Sequence, residues 1–316
     1  MTARFDLLVV GDANPDIVLH DAPRELAYGQ AEQLASSGSL TMGGSAAITA
    51  CAAARLGMRT SLVSVVGDDA AGRFVLDELA RRGVDTSGVV QRREWRTGLT
   101  VALSRDADRA IITSAGCIDE LDAALVDPAL VGAARHVHAA SFFLQPRLAA
   151  GLTALFAAAR AAGATTSLDL NWDPAGRWDG GLGALLPALD VLFVNEAEAA
   201  ATSGAADPAV AATALGARGP LPVVKLGAAG ALAHDGCRLV RVSAPAVDVA
   251  DAVGAGDSFD AGFICGRLLG WEVSRCLALG TAVGSLSARA AGGVDAQPTR
   301  DEALALIAGL IAGDKR

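Results

Sequence analysis

Lysine is almost missing from this 316-residue sequence, which has only Lys225 and Lys315. We attribute the shortage to genomic coding bias, but it also excludes one class of protein. A P-loop nucleotide-binding enzyme needs the motif G-x-x-x-x-G-K-[ST], and neither lysine lies in such a motif. The G-x-G-x-x-G turn of dinucleotide-dependent oxidoreductases is missing as well, since residues 11–16 read Gly-Asp-Ala-Asn-Pro-Asp.

Redox, metal and membrane signals are also scarce. Five cysteines form no C-x-x-C pair and four histidines lack the spacing of metal ligands, so we expect buried, reduced thiols. No apolar run is long enough to cross a membrane, and the residues after Met1 lead directly into a predicted strand rather than a signal peptide. The formal net charge of −9 argues against a nucleic-acid or anionic membrane partner. We expect a cytoplasmic protein.

Short apolar runs alternate with alanine-rich segments of helical periodicity along most of the chain, of which 52% is apolar. This alternation predicts an α/β fold, with a mostly parallel central sheet and helices on both faces. Because ligands bind beyond the carboxyl ends of parallel strands, side chains that follow these strands should share one rim. The predicted strands are 5–10, 61–66, 137–140, 166–170, 191–194 and 222–225. The predicted helices are 46–56, 72–82, 146–162 and 208–217.

Two segments, 17–40 and 97–113, interrupt this alternation with β-like runs and polar turns. We interpret them as a small antiparallel β lid over the substrate. The sequence shows no linker and no internal repeat, so a single domain over residues 1–316 is expected.

The most informative stretch is residues 251–263, Asp-Ala-Val-Gly-Ala-Gly-Asp-Ser-Phe-Asp-Ala-Gly-Phe. Apolar residues at helical spacing predict a helix that begins near Gly256 or Asp257. The free N–H groups and the dipole at its start favour an anion at Gly254, Ala255 and Gly256. A carboxylate there would repel phosphate unless it takes a proton from an attacking hydroxyl, which indicates Asp257 as a general base for phosphoryl transfer. The alternative is that Asp257 only caps the helix.

Residues 251–257 resemble the D-T-x-G-A-G-D signature of the ribokinase-like (PfkB) family of carbohydrate and nucleoside kinases. The resemblance implies that Asp257 is the catalytic base, that residues 254–256 form the anion hole, and that ATP and Mg²⁺ are the cofactors. Ala252 replaces the usual Thr, while the glycines and Asp257 are intact.

A second set of matches concerns the substrate. Asn14 and Asp16 follow a first strand that resembles the family's substrate-binding segment, and Gly43 and Gly44 open a segment similar to the sugar-binding motif G-G-x-x-x-N-x-A. The resemblance implies that these four residues, together with Asp257, bind the substrate. Ile48 stands where Asn is usual, which removes one donor and one acceptor. Without the resemblance, both segments would be interpreted as turns.

A third set of matches concerns the nucleotide. Asn195 and Glu198 match the N-x-x-E motif, which implies Mg²⁺ held largely through water. Lys225, Gly227 and Gly230 match the nucleotide-contacting strand and turn T-x-G-x-x-G, with Lys225 at the Thr position.

The remaining matches complete the site. Residues 169–171 resemble the mid-sheet D-x-N segment, and Thr281 lies where relatives often have Asn in the helix that holds adenine. Family members often bind a monovalent cation beside the anion hole. The matching positions are Asp251, Val253 and Gly292, so K⁺ is a candidate cofactor.

These matches cover nearly the whole chain in the family's order. They imply an enzyme, a phosphotransferase that uses ATP to phosphorylate a hydroxyl of a sugar or sugar-like polyol. A nucleoside kinase of the adenosine or guanosine type is the alternative, and the departures at Ala252 and Ile48 leave a non-catalytic sugar sensor open. In some relatives such lids form a dimer interface, so a homodimer through the lid is a further expectation.

Overall fold

The computed structural model describes residues 3–105 and 108–313, which form two sheets and the helices around them. The strands are β1 (Phe5–Val10), β2 (Asn14–His20), β3 (Ser37–Gly43), β4 (Thr60–Gly67), β5 (Asp85–Arg92), β6 (Leu99–Arg105), β7 (Asp108–Ser114), β8 (Ala134–Ala139), β9 (Thr165–Asp169), β10 (Val191–Asn195), β11 (Leu221–Lys225), β12 (Ala231–His234) and β13 (Leu239–Val242). The helices are α1 (Ser45–Arg55), α2 (Ala70–Arg81), α3 (Pro128–Gly132), α4 (Pro146–Ala161), α5 (Leu182–Leu185), α6 (Glu196–Ser203), α7 (Pro208–Gly216), α8 (Ala255–Leu268), α9 (Val273–Ser287) and α10 (Arg300–Gly313).

The large sheet has nine strands in the order β13-β12-β11-β10-β9-β8-β1-β4-β5. Every pair from β11 to β5 is parallel, and β12 and β13 add an antiparallel edge. Parallel strands covered on both faces need apolar residues on both, which explains why every residue of β4 is buried. The predicted fold class is confirmed.

Two apolar cores lie on opposite faces of this sheet. Leu7 of β1 packs in a core with Phe259 and Phe263 of α8, whereas Leu8 packs in a second core with Phe156 of α4. Successive strand residues point to opposite faces, so one short strand contributes to both cores. The first core fixes α8 against the sheet.

The small sheet has four strands in the order β3-β2-β6-β7. The pairs β2–β3 and β6–β7 are antiparallel, as predicted for the segments 17–40 and 97–113, while β2 and β6 pair in parallel. Asn14 begins β2 and Gly43 ends β3, and these two residues are directly paired. The small sheet therefore delivers two predicted substrate residues to one place.

All six predicted strands and all four predicted helices are present, with ends displaced by at most a few residues. The antiparallel edge strands β12 and β13 were not predicted, and neither was β5. The expectation of buried thiols is wrong for Cys237, which is exposed between β12 and β13; the other four cysteines are buried and free. Across the described residues, no helix combines the length and the apolar character needed to cross a membrane.

Candidate active site

The predicted anion hole lies at the start of α8. Gly254 precedes the helix in a left-handed conformation, with φ of +70°. A Cβ atom on Gly254 would lie 2.7 Å from Cα of Gly293, so both the backbone and the surrounding space require glycine here. Asp257 lies in the first turn of the helix with its side chain buried.

The amide groups at this helix start differ in availability. The N–H of Ala255 donates to the carbonyl oxygen of Ala252 at 3.3 Å. Among the described residues, the amides of Gly254 and Gly256 have no acceptor, as expected at a helix N-terminus. Together with the helix dipole, these two amides could bind an anion such as a phosphate.

The surroundings of the Asp257 carboxyl group raise its pKa toward neutral pH. Burial and then the negative charge of Asp169 raise its pKa to about 7, although the charge of Lys225 and a hydrogen bond from Ser45 act in the opposite direction. A general base works best when its pKa lies near the operating pH.

Ser45 and Asn171 connect Asp257 to the rest of the rim. The hydroxyl of Ser45 lowers the pKa of Asp257, and the amide nitrogen of Asn171 donates to Oγ of Ser45 at 2.6 Å. Asp12, itself buried at the end of β1, accepts from the backbone N–H of Ser45 at 3.2 Å. Sequence reasoning missed Ser45 and Asp12 as site residues, although both lie within motifs that matched the family.

The predicted substrate residues lie together where the small sheet meets the rim. Nδ2 of Asn14 donates to Oδ1 of Asp16 at 2.9 Å and to Oγ1 of Thr100 at 3.2 Å. The carboxylate of Asp16 lies directly on Gly43, where a Cβ atom would overlap it. Gly44 has φ of +83° and lies against the backbone of Asp12. Glycine is therefore required at both positions for the Asp16 side chain and the chain turn to fit.

Ile48 does not take over the role of the usual Asn. Its side chain is buried and lies against Gly254 and Gly293, where a Cβ atom on either glycine would come within about 3 Å of it. Its carbonyl oxygen accepts from Nε2 of Gln297 at 3.0 Å. The residue thus supports the anion-hole loop by packing and presents no polar side-chain group to a substrate.

Asn195 and Glu198 form a capping box at the start of α6. Oε1 of Glu198 accepts from Nδ2 of Asn195 at 2.6 Å, and Oε2 accepts from the Asn195 backbone N–H at 2.9 Å. Burial and the charge of Asp169 raise the pKa of Glu198 to about 7. A nearby cation would favour the ionised form of this carboxyl, so the pair fits an outer contact to Mg²⁺.

Lys225 ends β11 with its ammonium group held by two aspartates. Nζ lies 2.6 Å from Oδ2 of Asp169 and 3.2 Å from Oδ2 of Asp260. Burial alone would lower the pKa of Lys225, but the negative charges of Asp169 and Asp260 outweigh it and raise the pKa. Asp260 was not predicted as a site residue.

The remaining predicted nucleotide residues, Gly227, Gly230 and Thr281, differ in their exposure to solvent. Gly227 is exposed with φ of +54° and open space around it. A Cβ atom on Gly230 would overlap the carbonyl oxygen of Val242, so the fold requires glycine at this position. Thr281 is buried in α9 and donates its hydroxyl to the carbonyl oxygen of Leu277 at 2.7 Å. A nucleotide contact at Thr281 stays a prediction.

The three predicted positions for a monovalent cation come together beside the anion hole. The carboxylate of Asp251 accepts from the N–H of Val253 at 3.0 Å and from the N–H of Gly292 at 3.1 Å. Within the described part of the chain, no group of three or more His, Cys, Asp or Glu is arranged to hold a metal ion. Any cation here would depend on carbonyl oxygens and water.

A cleft of about 840 Å³ lies at the opposite edge of the large sheet, where β8, β9 and β10 begin. Arg4, Arg135 and Arg267 line it, and none of the predicted site residues does. The converging polar groups described above are all at the carboxyl edge, where parallel sheets bind ligands.

A buried carboxyl of near-neutral pKa beside a helix N-terminus that can bind phosphate is the arrangement expected of a class of protein, the phosphotransferases with a hydroxyl acceptor. Comparison with known families agrees, since the family described as pfkB family carbohydrate kinase matches residues 4–300. The chain belongs to this family and is a carbohydrate kinase.

Individual relatives have related activities. The chain is 32% identical to fructoselysine 6-kinase of Escherichia coli K12 over 248 residues, which is 76% of this chain and 87% of that protein. It is 32% identical to the ATP-dependent ribose-1-phosphate kinase of Halopiger xanaduensis over 312 residues, which is 95% of this chain and 97% of that protein. The structure of Arabidopsis thaliana ribokinase complexed with ribose and ATP matches with a TM-score of 0.82 at 25% identity, covering 97% of this chain and 99% of that one.

Proposed function

We propose that the protein transfers the γ-phosphoryl group of ATP to a hydroxyl of a sugar or sugar-like polyol. The observation that carries this proposal is the buried carboxyl of Asp257, with its pKa near 7, in the first turn of a helix whose leading amides at Gly254 and Gly256 find no acceptor in the described part of the chain. A base and an anion hole within one turn of helix are the two protein groups that in-line phosphoryl transfer requires.

In the proposed reaction the ionised Asp257 accepts the proton of the substrate hydroxyl as that oxygen attacks the γ-phosphorus. The bond from the γ-phosphorus to the β,γ-bridging oxygen breaks, and ADP leaves with that oxygen. The amides of Gly254 and Gly256 stabilise the charge on the transferred group. The hydroxyl of Ser45, held by Asn171, orients the carboxyl of Asp257 toward the substrate.

The substrate side favours an uncharged polyol over a sugar that already carries phosphate at this place. Asp16 is an acceptor for neighbouring hydroxyls, and Asn14 and Thr100 add short polar groups beside it. A buried carboxylate would repel a phosphate bound next to it. The names of the relatives, a fructoselysine kinase, a ribose-1-phosphate kinase and a ribokinase, support a sugar acceptor but differ in which sugar.

ATP and Mg²⁺ are the proposed cofactors. The Arabidopsis ribokinase was solved with ATP, which supports a nucleotide site here, and the exposed turn at Gly227 leaves space for one. Asn195 and Glu198 would hold Mg²⁺ through water, consistent with its preference for retaining several waters. When bound, the ion would neutralise charge on the phosphates.

Two further parts of the proposal concern K⁺ and assembly. K⁺ would bind near Asp251, Val253 and Gly292, mainly through backbone carbonyl oxygens. A homodimer would use the small sheet, which exposes Leu40, Ile111 and an adjacent Ile112. Both are tested directly, K⁺ by activation of turnover and the dimer by mass in solution.

The test of the proposal is ADP release from Mg-ATP over a panel of sugars, keto-deoxy acids, cyclitols and nucleosides, with and without K⁺. Asp257→Asn should lose at least about 100-fold in turnover while still binding nucleotide, because general-base catalysis contributes roughly 100- to 10,000-fold. Asp235→Asn is the matched control, since Asp235 lies on the exposed β12–β13 turn. Retention of most activity by Asp257→Asn would remove Asp257 as the base.

A further inference from the structure

Behind the proposed base lies a buried cluster of three charged side chains from three different elements. Nζ of Lys225, at the end of β11, lies 2.6 Å from Oδ2 of Asp169, at the end of β9. The same nitrogen lies 3.2 and 3.3 Å from the two carboxyl oxygens of Asp260 in α8. The side chain of Lys225 is 14% exposed, and those of Asp169 and Asp260 are 3% and 0% exposed. The cluster therefore joins two strands of the sheet to one helix.

The position of the cluster relates it to the first turn of α8. Asp260 follows Asp257 by three residues, so the two lie on the same side of the helix about one turn apart. Nζ of Lys225 also lies 3.4 Å from the position that a Cβ atom on Gly256 would occupy. The ammonium group thus lies against the backbone that forms the proposed anion hole.

The donors of the ammonium group are already used. A lysine ammonium has three N–H donors, and the contacts to Asp169 and to both oxygens of Asp260 can occupy all three. Burial raises the pKa of Asp260 well above its usual value, whereas the charge of Lys225 outweighs burial at Asp169 and lowers its pKa. The ammonium group therefore has two carboxyl groups as its partners within the cluster.

We propose that Lys225 is a positioning residue, which holds α8 through Asp260 and thereby places the anion hole and Asp257, and that its ammonium is not a ligand of the nucleotide. The inference rests on the proposed function for its catalytic consequence. It differs from the sequence-based expectation, in which Lys225 occupies a nucleotide-contacting position. Asp260 offers a matched pair of variants, because Asn keeps the shape of the carboxyl group and an acceptor oxygen for the ammonium, whereas Ala keeps neither.

The experiment compares Lys225→Met, Asp260→Ala and Asp260→Asn with the wild type in the full chain. The first two should lower kcat at least about tenfold, since small misplacements of reacting groups are costly, and should leave the affinity for Mg-ADP within about twofold. Asp260→Asn, which keeps the contact, should retain kcat within about threefold. Weaker Mg-ADP binding with kcat retained in Lys225→Met would instead make the ammonium a nucleotide ligand and overturn the proposal.

Amide hydrogen exchange supplies a readout that does not depend on turnover. Exchange in residues 254–260 should increase in Lys225→Met and Asp260→Ala and stay as in the wild type in Asp260→Asn. Unchanged exchange in all three would overturn the positioning role, even if the panel of acceptors showed no kinase activity. Should Lys225→Met fail to fold, the double variant Lys225→Met, Asp169→Asn replaces it, because this variant removes the positive and the negative charge together. The double variant should show the same increase in exchange and the same loss of kcat.

Discussion

Replacing Asp257 by Asn should stabilise the folded protein while it abolishes catalysis. The reason is the work of ionising a buried carboxyl. The ordinary pKa of 3.8 is raised to about 7 in the folded state, chiefly by burial and then by the charge of Asp169. At about 1.4 kcal/mol per pKa unit, the ionised carboxylate costs the folded state about 4 kcal/mol above neutral pH, and Asn does not carry this cost.

The sign and the pH window follow from proton linkage. Between pH 3.8 and about 7 the folded protein holds a proton on Asp257 that the unfolded chain has lost. The free energy of unfolding of the wild type therefore falls as pH rises through this window and levels off above it. Relative to the wild type, Asp257→Asn should gain about 3 kcal/mol between about pH 5 and about pH 8, since roughly two pH units of the window lie in between.

The assay is urea denaturation of both proteins at several pH values, analysed as the difference between them. Groups that titrate equally in both proteins cancel in this difference. Asp235→Asn is the control of opposite sign, because hydrogen bonds from the N–H groups of Arg238 and Cys237 lower the pKa of Asp235. A difference between Asp257→Asn and wild type that does not change with pH would refute the raised pKa, and with it the argument that Asp257 is adjusted for proton transfer.

Three further predictions concern the same site. The value of kcat/KM should fall about tenfold per pH unit below about 7, with Mg-ADP binding measured over the same range as control; a flat profile would contradict a base of this pKa. Ser45→Ala should shift this acid limb to higher pH, because the Ser45 hydrogen bond lowers the pKa of Asp257; an unmoved limb in pH–rate measurements would argue against the contact. Gly254→Ala should lose at least about 1–2 kcal/mol in urea denaturation and also lose kcat, because a left-handed alanine is strained and its Cβ would overlap Gly293. Gly204→Ala is the control, because Gly204 has φ of +77° with open space around it and should show the stability loss alone. Equal kcat in the two variants would show that Gly254 is not part of a catalytic anion hole.

Much of the architecture could be predicted because it depends on local patterns. Parallel strands buried on both faces are short apolar runs, and α4 and α7 each begin with proline at the first helical position, so their limits are visible in the sequence. The rule that ligands bind at the carboxyl ends of strands then placed the predicted residues on one rim. The edge strands β12 and β13 were missed because each has only four residues, which leaves little periodicity to detect, and β13 is also partly exposed.

Contacts within the site could not be predicted in the same way. Asp260 lies in a helix segment that is otherwise apolar, and Lys225 ends an apolar strand, so each is a charged residue in a place where burial is expected. Buried charges are almost always paired, which is a signal that both have partners. Which partners they have depends on how β9, β11 and α8 come together, and no local pattern contains that information.

The same reasoning explains why Lys225 can have partners that its motif alone does not indicate. The residue at the end of β11 is followed directly in sequence by the predicted nucleotide turn. In space, the same residue also lies next to α8. A threonine is too short to reach Asp260, so its hydroxyl is free for a ligand, whereas a lysine side chain extends to the helix and finds two carboxyl groups there. The residue type therefore changes which neighbour is contacted, even though the backbone position is the same. The motif specifies the position, and the length and charge of the side chain decide what that position does.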